Sequence, residues 1–151
     1  MQDILTCAMG LDVHRDIIVA CLVKGAVDAE PEAETRTFST LIPEMQKLRD
    51  WVIESECRNI AMESTGIYWQ PIYEMLESCF DGEISILVVN ARHMKNVPGR
   101  KTDMKDAQWI ATLLRAGLLK GSFIPDKAFR ELRHLTRYRK SVVHDITAQK
   151  N

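Results

Sequence analysis

Four acidic residues stand where folding could bring their carboxylates to one site. Asp12 and Glu63 each follow an apolar, strand-like run, and Asp103 and Asp106 stand three residues apart at the predicted start of a helix. Residues i and i+3 share a helix face, so the last two carboxylates could converge on one point. Clustered carboxylates repel one another unless protons or cations bridge them. Oxygen donors suit Mg²⁺ or Mn²⁺, and two such ions form a clamp for phosphoryl transfer, so the pattern predicts a site for two divalent ions.

Each acid also has a structural interpretation. Asp103 resembles an N-cap residue with a second acid in the first helical turn. Asp12 could cap a turn at its strand end, and Glu63 could be solvated or cap the segment that follows it. His14 stands two residues beyond Asp12 and is interpreted as an ordinary polar residue, because Mg²⁺ rarely takes imidazole as a ligand.

The hydrophobic pattern predicts an α/β fold with a mixed sheet. Strands are expected at residues 6–13, 17–23, 35–39, 59–63 and 84–89, and a helix from Pro43 to about Cys57, with a shorter one before residue 80. Residues 28–34 are expected to be a solvated loop, 92–99 a basic connector, and 84–89 a central strand buried on both faces. A helix should begin near Asp103, and a long one should follow Pro125. Acids at the ends of neighbouring strands would then meet at one edge of the sheet.

The near-neutral total charge conceals an asymmetry between the two parts of the chain. Residues 1–91 carry 6 Lys/Arg and 16 Asp/Glu, a balance of −10, and residues 92–151 carry 14 and 5, a balance of +9. Such asymmetry indicates a polyanionic partner, here DNA or RNA, on the basic side. The candidate phosphate-binding residues flank the acids or follow one face of the long helix: Arg92, Lys95, Arg100, Lys101, Lys105, Arg130, Arg133, Arg137 and Lys140.

The long helix also carries an apolar seam at 4-3 spacing, which includes Leu132, Leu135, Val142 and Ile146. Its basic face could therefore be the solvated back of a helix that packs on a partner, and a homo-oligomer through this helix is expected. Arg139 lies within the seam and argues against a simple two-stranded coiled coil.

Composition excludes several classes of protein. No apolar run is long enough to cross a membrane, and no secretory signal precedes the first strand. Cys7, Cys21, Cys57 and Cys79 are scattered without a C-x-x-C pair, which indicates reduced thiols, a cytoplasmic location and no structural zinc.

Three motifs in order resemble the N-terminal domain of the DEDD transposases of bacterial insertion sequences. They are residues 10–14 (GLDVH), residues 62–66 (MESTG) with Tyr68 and Trp69 after them, and residues 101–107 (KTDMKDA). The resemblance extends over nearly the whole chain and implies a ribonuclease-H-like, RuvC-like fold.

The same resemblance implies roles for these residues. The four metal ligands would be Asp12, Glu63, Asp103 and Asp106, with Asp12 bridging the two ions. The substrate would be DNA, cut and rejoined in transposition, and in some members of the family a structured RNA guides the choice of sites.

Family members are about twice as long, with a second domain that supplies a serine nucleophile. Residues 1–122 are therefore expected to form the catalytic domain, and residues 123–151 the start of a helical segment leading to that second domain. No serine of this chain lies in the family's serine motif. Two alternatives stay open: a stand-alone Holliday-junction nuclease, and a non-catalytic nucleic-acid-binding or assembly module.

Overall fold

The computed structural model describes residues 2–63, 66–97 and 105–150. Within them the chain forms five strands and five helices: β1 (Cys7–Val13), β2 (Ile17–Lys24), β3 (Glu32–Ser39), α1 (Ile42–Ser55), β4 (Asn59–Glu63), α2 (Trp69–Phe80), β5 (Ser85–Val89), α3 (Ala91–Lys95), α4 (Asp106–Arg115) and α5 (Lys127–Lys150). The predicted α/β class is confirmed, and the predicted elements occur in the expected order with one short helix, α3, in addition.

The strands form one mixed sheet in the order β3-β2-β1-β4-β5, so β1 is the central strand. β1, β2 and β3 pair antiparallel as an uninterrupted meander. β4 lies parallel to β1 on its other side, and β5 lies parallel to β4. Parallel pairing needs crossovers, which α1 and α2 provide. The carboxyl ends of β1, β4 and β5 therefore point to the same edge of the sheet.

Helices cover both faces of the sheet. On one face, alternate residues of β1 such as Met9 and Leu11 join the main core with α1 and α2. The α1 stripe is as predicted, with Met45, Leu48, Trp51 and Val52 buried. On the other face, Ala8 and Ala61 pack under α4, where they contact Ile110 and Leu114. α4 therefore lies on the face to which the even-numbered residues of β1 point.

Two predicted loops contain regular structure. β3 begins at Glu32, so the predicted solvated loop at residues 28–34 is wrong in its second half. Acidic side chains are tolerated there because β3 is an edge strand and most of its residues are exposed. The predicted connector after Asn90 contains the short helix α3, which Asn90 caps by accepting a hydrogen bond from the N–H of Arg92 at 2.8 Å.

The prediction that residues 84–89 form a central strand is wrong, because β5 is at the edge of the sheet. Its continuous apolarity has another cause. Ile86 and Val88 pack on the main core, while Leu87 and Val89 pack on the α4 side, so both faces of β5 are covered although one edge is not paired with a strand. The chain after α4 returns to that edge, where the N–H of Ser122 donates to the carbonyl of Val88 at 2.7 Å.

α5 is a 24-residue helix with no buried residue. It reproduces the predicted long helix, with the apolar seam and the basic face both largely in solvent. Among the described residues, no helix has the length and apolarity needed to cross a membrane. The four cysteines are free thiols.

Candidate active site

Asp12 lies near the carboxyl end of the central strand, on the face that α4 covers. Leu11 and Val13 point into the main core, so the alternation of the strand places Asp12 with Ala8 and Gly10 on the opposite face. The Asp12 side chain is 16% exposed, and its Oδ2 lies 3.0 Å from Nε2 of His14. The carboxylate is therefore held at the sheet edge, with one oxygen oriented by the imidazole.

Glu63 is the last residue of β4 and lies beside Asp12. β1 and β4 pair in parallel with Leu11 opposite Met62, and the same register continued by one residue places Asp12 next to Glu63. On its other side Glu63 pairs with Val89 of β5. The half-buried Glu63 and the partly buried Asp12 thus occupy adjacent strands at the same edge, as their positions at strand ends predicted.

α4 brings the third acid to this edge. The N–H groups of Ile4 and Leu5, just before β1, donate to the carbonyl of Arg115, the last residue of α4, at 2.9 and 3.1 Å. The second turn of α4 lies over Gly10, further along β1. α4 therefore runs antiparallel to β1, and its N-terminus points to the edge that carries Asp12 and Glu63.

The helix begins later than predicted. Its first residue is Asp106, and Lys105 at the N-cap is extended, with φ −62° and ψ 151°. The expected helix start near Asp103 is therefore wrong by about three residues. Asp103 lies outside the described residues, as do Arg100 and Lys101.

A cleft of about 400 Å³ is lined by two of the acids and by one cation. Its lining includes Glu63 from β4, Lys95 from α3, and Asp106 and Trp109 from α4. Two acids and one cation from three elements thus face a common space open to solvent. The cleft lies between α3 and α4, where the chain passes from its acidic to its basic part.

The donor set at this edge consists of carboxylate oxygens, which suit hard divalent ions. Within residues 2–63, 66–97 and 105–150, however, no group of three or more His, Cys, Asp or Glu side chains is arranged to hold a metal ion. The described residues bring the acids together in pairs: Asp12 with Glu63 across the strands, and Glu63 with Asp106 across the cleft.

The predicted phosphate-binding residues divide into four groups. Arg92, Lys95 and Lys105 are exposed near the cleft, and Arg133, Arg137 and Lys140 are exposed along α5. Arg130 is different, because its guanidinium is ion-paired with Glu77 of α2 and lies over the ring of Tyr73. Arg100 and Lys101 fall outside the described part of the chain.

Sequence reasoning missed two features of this region. One is the contact of His14 with Asp12, which the i, i+2 spacing on one strand could have indicated. The other is the close approach of α4 to Gly10. A glycine inside an apolar strand is a signal for such an approach, since it often marks a place where another backbone comes near.

Two structural relatives have the same fold. One is the structure of Thermus thermophilus RuvC, with a TM-score of 0.53 and 12% sequence identity, covering 77% of this chain and 99% of that chain. The other is T. thermophilus RuvC in complex with a Holliday junction substrate, with a TM-score of 0.55 and 13% identity, covering 78% and 100% of the two chains. At these identities the likeness establishes the fold, which is RuvC-like as predicted.

The sequence itself identifies the family. It has no match among curated proteins. The model of the IS110-type DEDD transposase family, described as "Transposase", matches residues 9–151 and thus includes the three motifs and the basic helix. Because that match extends over nearly the whole sequence, the chain belongs to the IS110-type DEDD transposases and carries a RuvC-like domain of that family.

Proposed function

We propose that this domain cleaves DNA phosphodiester bonds with two divalent metal ions, Mg²⁺ or Mn²⁺, held by Asp12, Glu63, Asp103 and Asp106. The observation that carries the proposal is the adjacency of Asp12 and Glu63 on parallel strands, at the edge to which the N-terminus of α4 points. Asp103 completes the set on the strength of its place in the sequence motif.

Each residue of the site has its own role in the proposed reaction. Bound divalent ions would polarise a phosphate and activate the attacking oxygen. Asp12, on the central strand, takes the bridging position, while His14 fixes the orientation of its carboxylate. Lys95 lies across the cleft from Glu63 and holds the negative charge of the DNA backbone.

The metal site is tested by thermal melting with increasing Mg²⁺ or Mn²⁺. A ligand that binds only the folded state stabilises it by about 2.7 kcal/mol at 100 times its Kd. For a chain of this size that corresponds to a rise in Tm of roughly 5–10 °C. We expect this rise in the wild type and its loss in Asp12→Asn, Glu63→Gln and Asp106→Asn.

Asp16→Asn is the matched control for the metal titration. Asp16 is an exposed acid four residues from Asp12 and is paired with Arg15 on the surface. Its variant should keep the full metal-induced rise. A wild type that does not respond to either metal, or an Asp12→Asn variant that responds normally, would contradict the proposed site.

The substrate is tested by a cleavage assay with Mn²⁺ on linear duplex DNA and on a four-way junction. One RuvC relative is described in complex with a Holliday junction, so branched DNA is a substrate class to compare directly. Cleavage by this chain alone, abolished by Asp106→Asn, supports a self-sufficient nuclease. Metal binding without cleavage supports the proposal that a serine-bearing second domain, reached through residues 123–151, completes the reaction.

We also propose that α5 pairs with a second copy of the chain. Leu132, Leu135, Val142 and Ile146 are 59%, 67%, 36% and 48% exposed, and their 4-3 spacing aligns them along one side of the helix. Light scattering should show an oligomer that Leu135→Lys dissociates. Arg137→Glu, on the basic face, is the control and should leave the oligomer intact.

A structured RNA is a further proposed partner, bound through the basic face of α5. Competition between RNA and DNA for the wild type, and for the Arg133→Ala/Arg137→Ala variant, tests it. The proposal is contradicted if RNA binding is absent, or if the variant binds RNA as tightly as the wild type.

A further inference from the structure

Gly10 of β1 lies where the backbone of α4 comes closest to the sheet. A Cβ atom built on Gly10 would be 2.1 Å from the carbonyl oxygen of Ala107 and 2.5 Å from the amide nitrogen of Ala111. Both are backbone atoms of a regular helix, so no change of side-chain rotamer can relieve the contact. At this position any residue other than glycine must displace the helix.

The surroundings of Gly10 allow the close approach to be maintained. Ala107 and Ala111 are 1% and 0% exposed, and they pack against Cys21 and Val23 of β2. Both helix residues on this side of the contact are alanines, and the strand residue beneath them lacks a side chain. The depth of the first two turns of α4 above the sheet is therefore fixed by backbone contact.

The size of the displacement can be estimated from the same distances. Ordinary van der Waals contact begins near 3.4 Å, so an alanine at position 10 would move the Ala107 carbonyl by somewhat more than 1 Å. Metal–ligand distances are tolerated only within about 0.2 Å. Asp106 directly precedes Ala107, and Asp12 is two residues beyond Gly10 on the same face of β1. The displacement of α4 therefore changes the distance between the carboxylates of Asp106 and Asp12.

We infer that Gly10 is a positioning residue of the metal site, which sets the depth of α4 so that Asp106 reaches the Asp12–Glu63 pair. The inference rests on the function proposed above. A positioning role for Gly10 differs from a purely structural role in its effect on metal binding. A packing residue would change stability alone, whereas a positioning residue changes metal affinity by more than its effect on stability explains.

The experiment compares Gly10→Ala with Leu114→Ala, each titrated with MnCl₂. Leu114 lies near the C-terminal end of the same helix, eight residues beyond Asp106, and packs in a cluster with Ala8 at the start of β1, so its truncation destabilises the α4–sheet interface at the end of the helix opposite Asp106. Bound Mn²⁺ is measured by electron paramagnetic resonance of the free ion, and stability by denaturation without metal. We expect Mn²⁺ affinity to fall at least tenfold in Gly10→Ala and to stay within about twofold of wild type in Leu114→Ala.

If Gly10→Ala does not fold, Ala107→Val provides the second test, because it enlarges a side chain between the same turn of α4 and β2. Wild-type Mn²⁺ affinity in whichever of the two variants folds would overturn the inference. So would an equal loss of affinity in Leu114→Ala. Failure of the proposed function itself gives a different result. In that case the wild type either binds no Mn²⁺ or binds Mn²⁺ with an affinity that Asp12→Asn leaves unchanged.

Discussion

Arg130, in the first turn of α5, forms an ion pair with Glu77 of α2, and this contact connects the long helix to a helix that packs on the sheet. The Arg130 guanidinium also donates to the carbonyl of Pro125 at 2.8 Å and lies 5.3 Å from the ring centre of Tyr73. Its side chain is 11% exposed and that of Glu77 is 36% exposed. The sequence alone placed Arg130 with the phosphate-binding residues of the basic face.

Breaking this ion pair should loosen the start of α5. A double-mutant cycle of Arg130→Ala and Glu77→Gln is expected to give a coupling free energy of about 1 kcal/mol, reduced by the partial exposure of Glu77. The surface pair Lys47–Glu44, one turn apart on α1, is the control, with an expected coupling of about 0.3–0.5 kcal/mol. Urea denaturation measures both cycles. Equal couplings in the two cycles would show that the α2–α5 contact adds nothing beyond a surface pair.

The remaining cations of α5 should control the salt dependence of nucleic-acid binding. Arg133, Arg137 and Lys140 are exposed, and each phosphate contact on duplex DNA contributes about 0.9 to the slope of log K against log salt. Replacing all three by Ala should reduce the slope by about 2 to 3. Fluorescence anisotropy with a labelled duplex between low and moderate salt measures it.

The control for the salt slope replaces three cations in the acidic half of the chain: Arg36, Lys47 and Arg49. These changes should leave the slope unchanged. Arg130→Ala alone should lower the slope by less than Arg133→Ala alone, because Glu77 already engages its guanidinium. A slope that is unaffected by the triple change in α5 would favour packing as the only role of that helix.

Local pattern was sufficient to predict most of the fold. The β1–β2 hairpin follows from two β-branched or apolar runs joined by three polar residues, and the α1 stripe from helical spacing. The adjacency of Asp12 and Glu63 was predicted on the condition that their strands are neighbours, since the ends of neighbouring parallel strands meet at one edge. The hairpin and the helical stripe needed no knowledge of which distant elements touch, whereas the adjacency of the two acids required the pairing of β1 with β4.

The predictions that were wrong depended on non-local contacts. The edge position of β5 is decided by which strands pair, and a strand covered on both faces has the same apolar composition at an edge as in the centre. The start of α4 at Asp106 depends on the extended backbone of Lys105, which charge spacing does not reveal. The depth of α4 over Gly10 involves residues about a hundred positions apart in the chain.

Arg115 is the clearest example of a residue whose role only the fold reveals. Its side chain is 1% exposed and forms an ion pair with Asp3 at 3.0 Å. It donates to the carbonyls of Leu5, Gly25 and Ala26 at 2.8, 3.0 and 2.6 Å. One guanidinium thus joins the C-terminus of α4 to the segment before β1 and to the loop after β2.

Replacing Arg115 by Leu should lower the free energy of unfolding by about 3 kcal/mol, because three part-buried hydrogen bonds to backbone carbonyls are lost and Asp3 loses its partner. Arg137→Leu, the same change on the exposed basic face of α5, should alter stability by less than about 0.5 kcal/mol. Guanidinium chloride denaturation of both variants measures the difference. A loss below about 1 kcal/mol in Arg115→Leu would mean that water replaces these hydrogen bonds at little cost.

Cys7 and Cys57 form a thiol pair between the start of β1 and the segment before β4. The pKa of Cys7 is lowered to about 7, chiefly by the hydrogen bond with Cys57 and also by electrostatic attraction to Lys24 and Arg115, while burial opposes the shift. The same hydrogen bond and burial raise the pKa of Cys57. Cys7 should therefore be the nucleophilic member of the pair at neutral pH, since the thiolate is the reactive form.

The pH dependence of alkylation tests this assignment. Alkylation of Cys7 by iodoacetamide, followed by mass spectrometry of its peptide, should reach half its maximal rate near pH 7. Cys57→Ala removes the donor that stabilises the Cys7 thiolate, so the midpoint should move to higher pH, and Lys24→Ala should move it in the same direction by less. An unchanged midpoint in Cys57→Ala would assign the lowered pKa to the nearby cations, because these remain in that variant and the thiol donor does not.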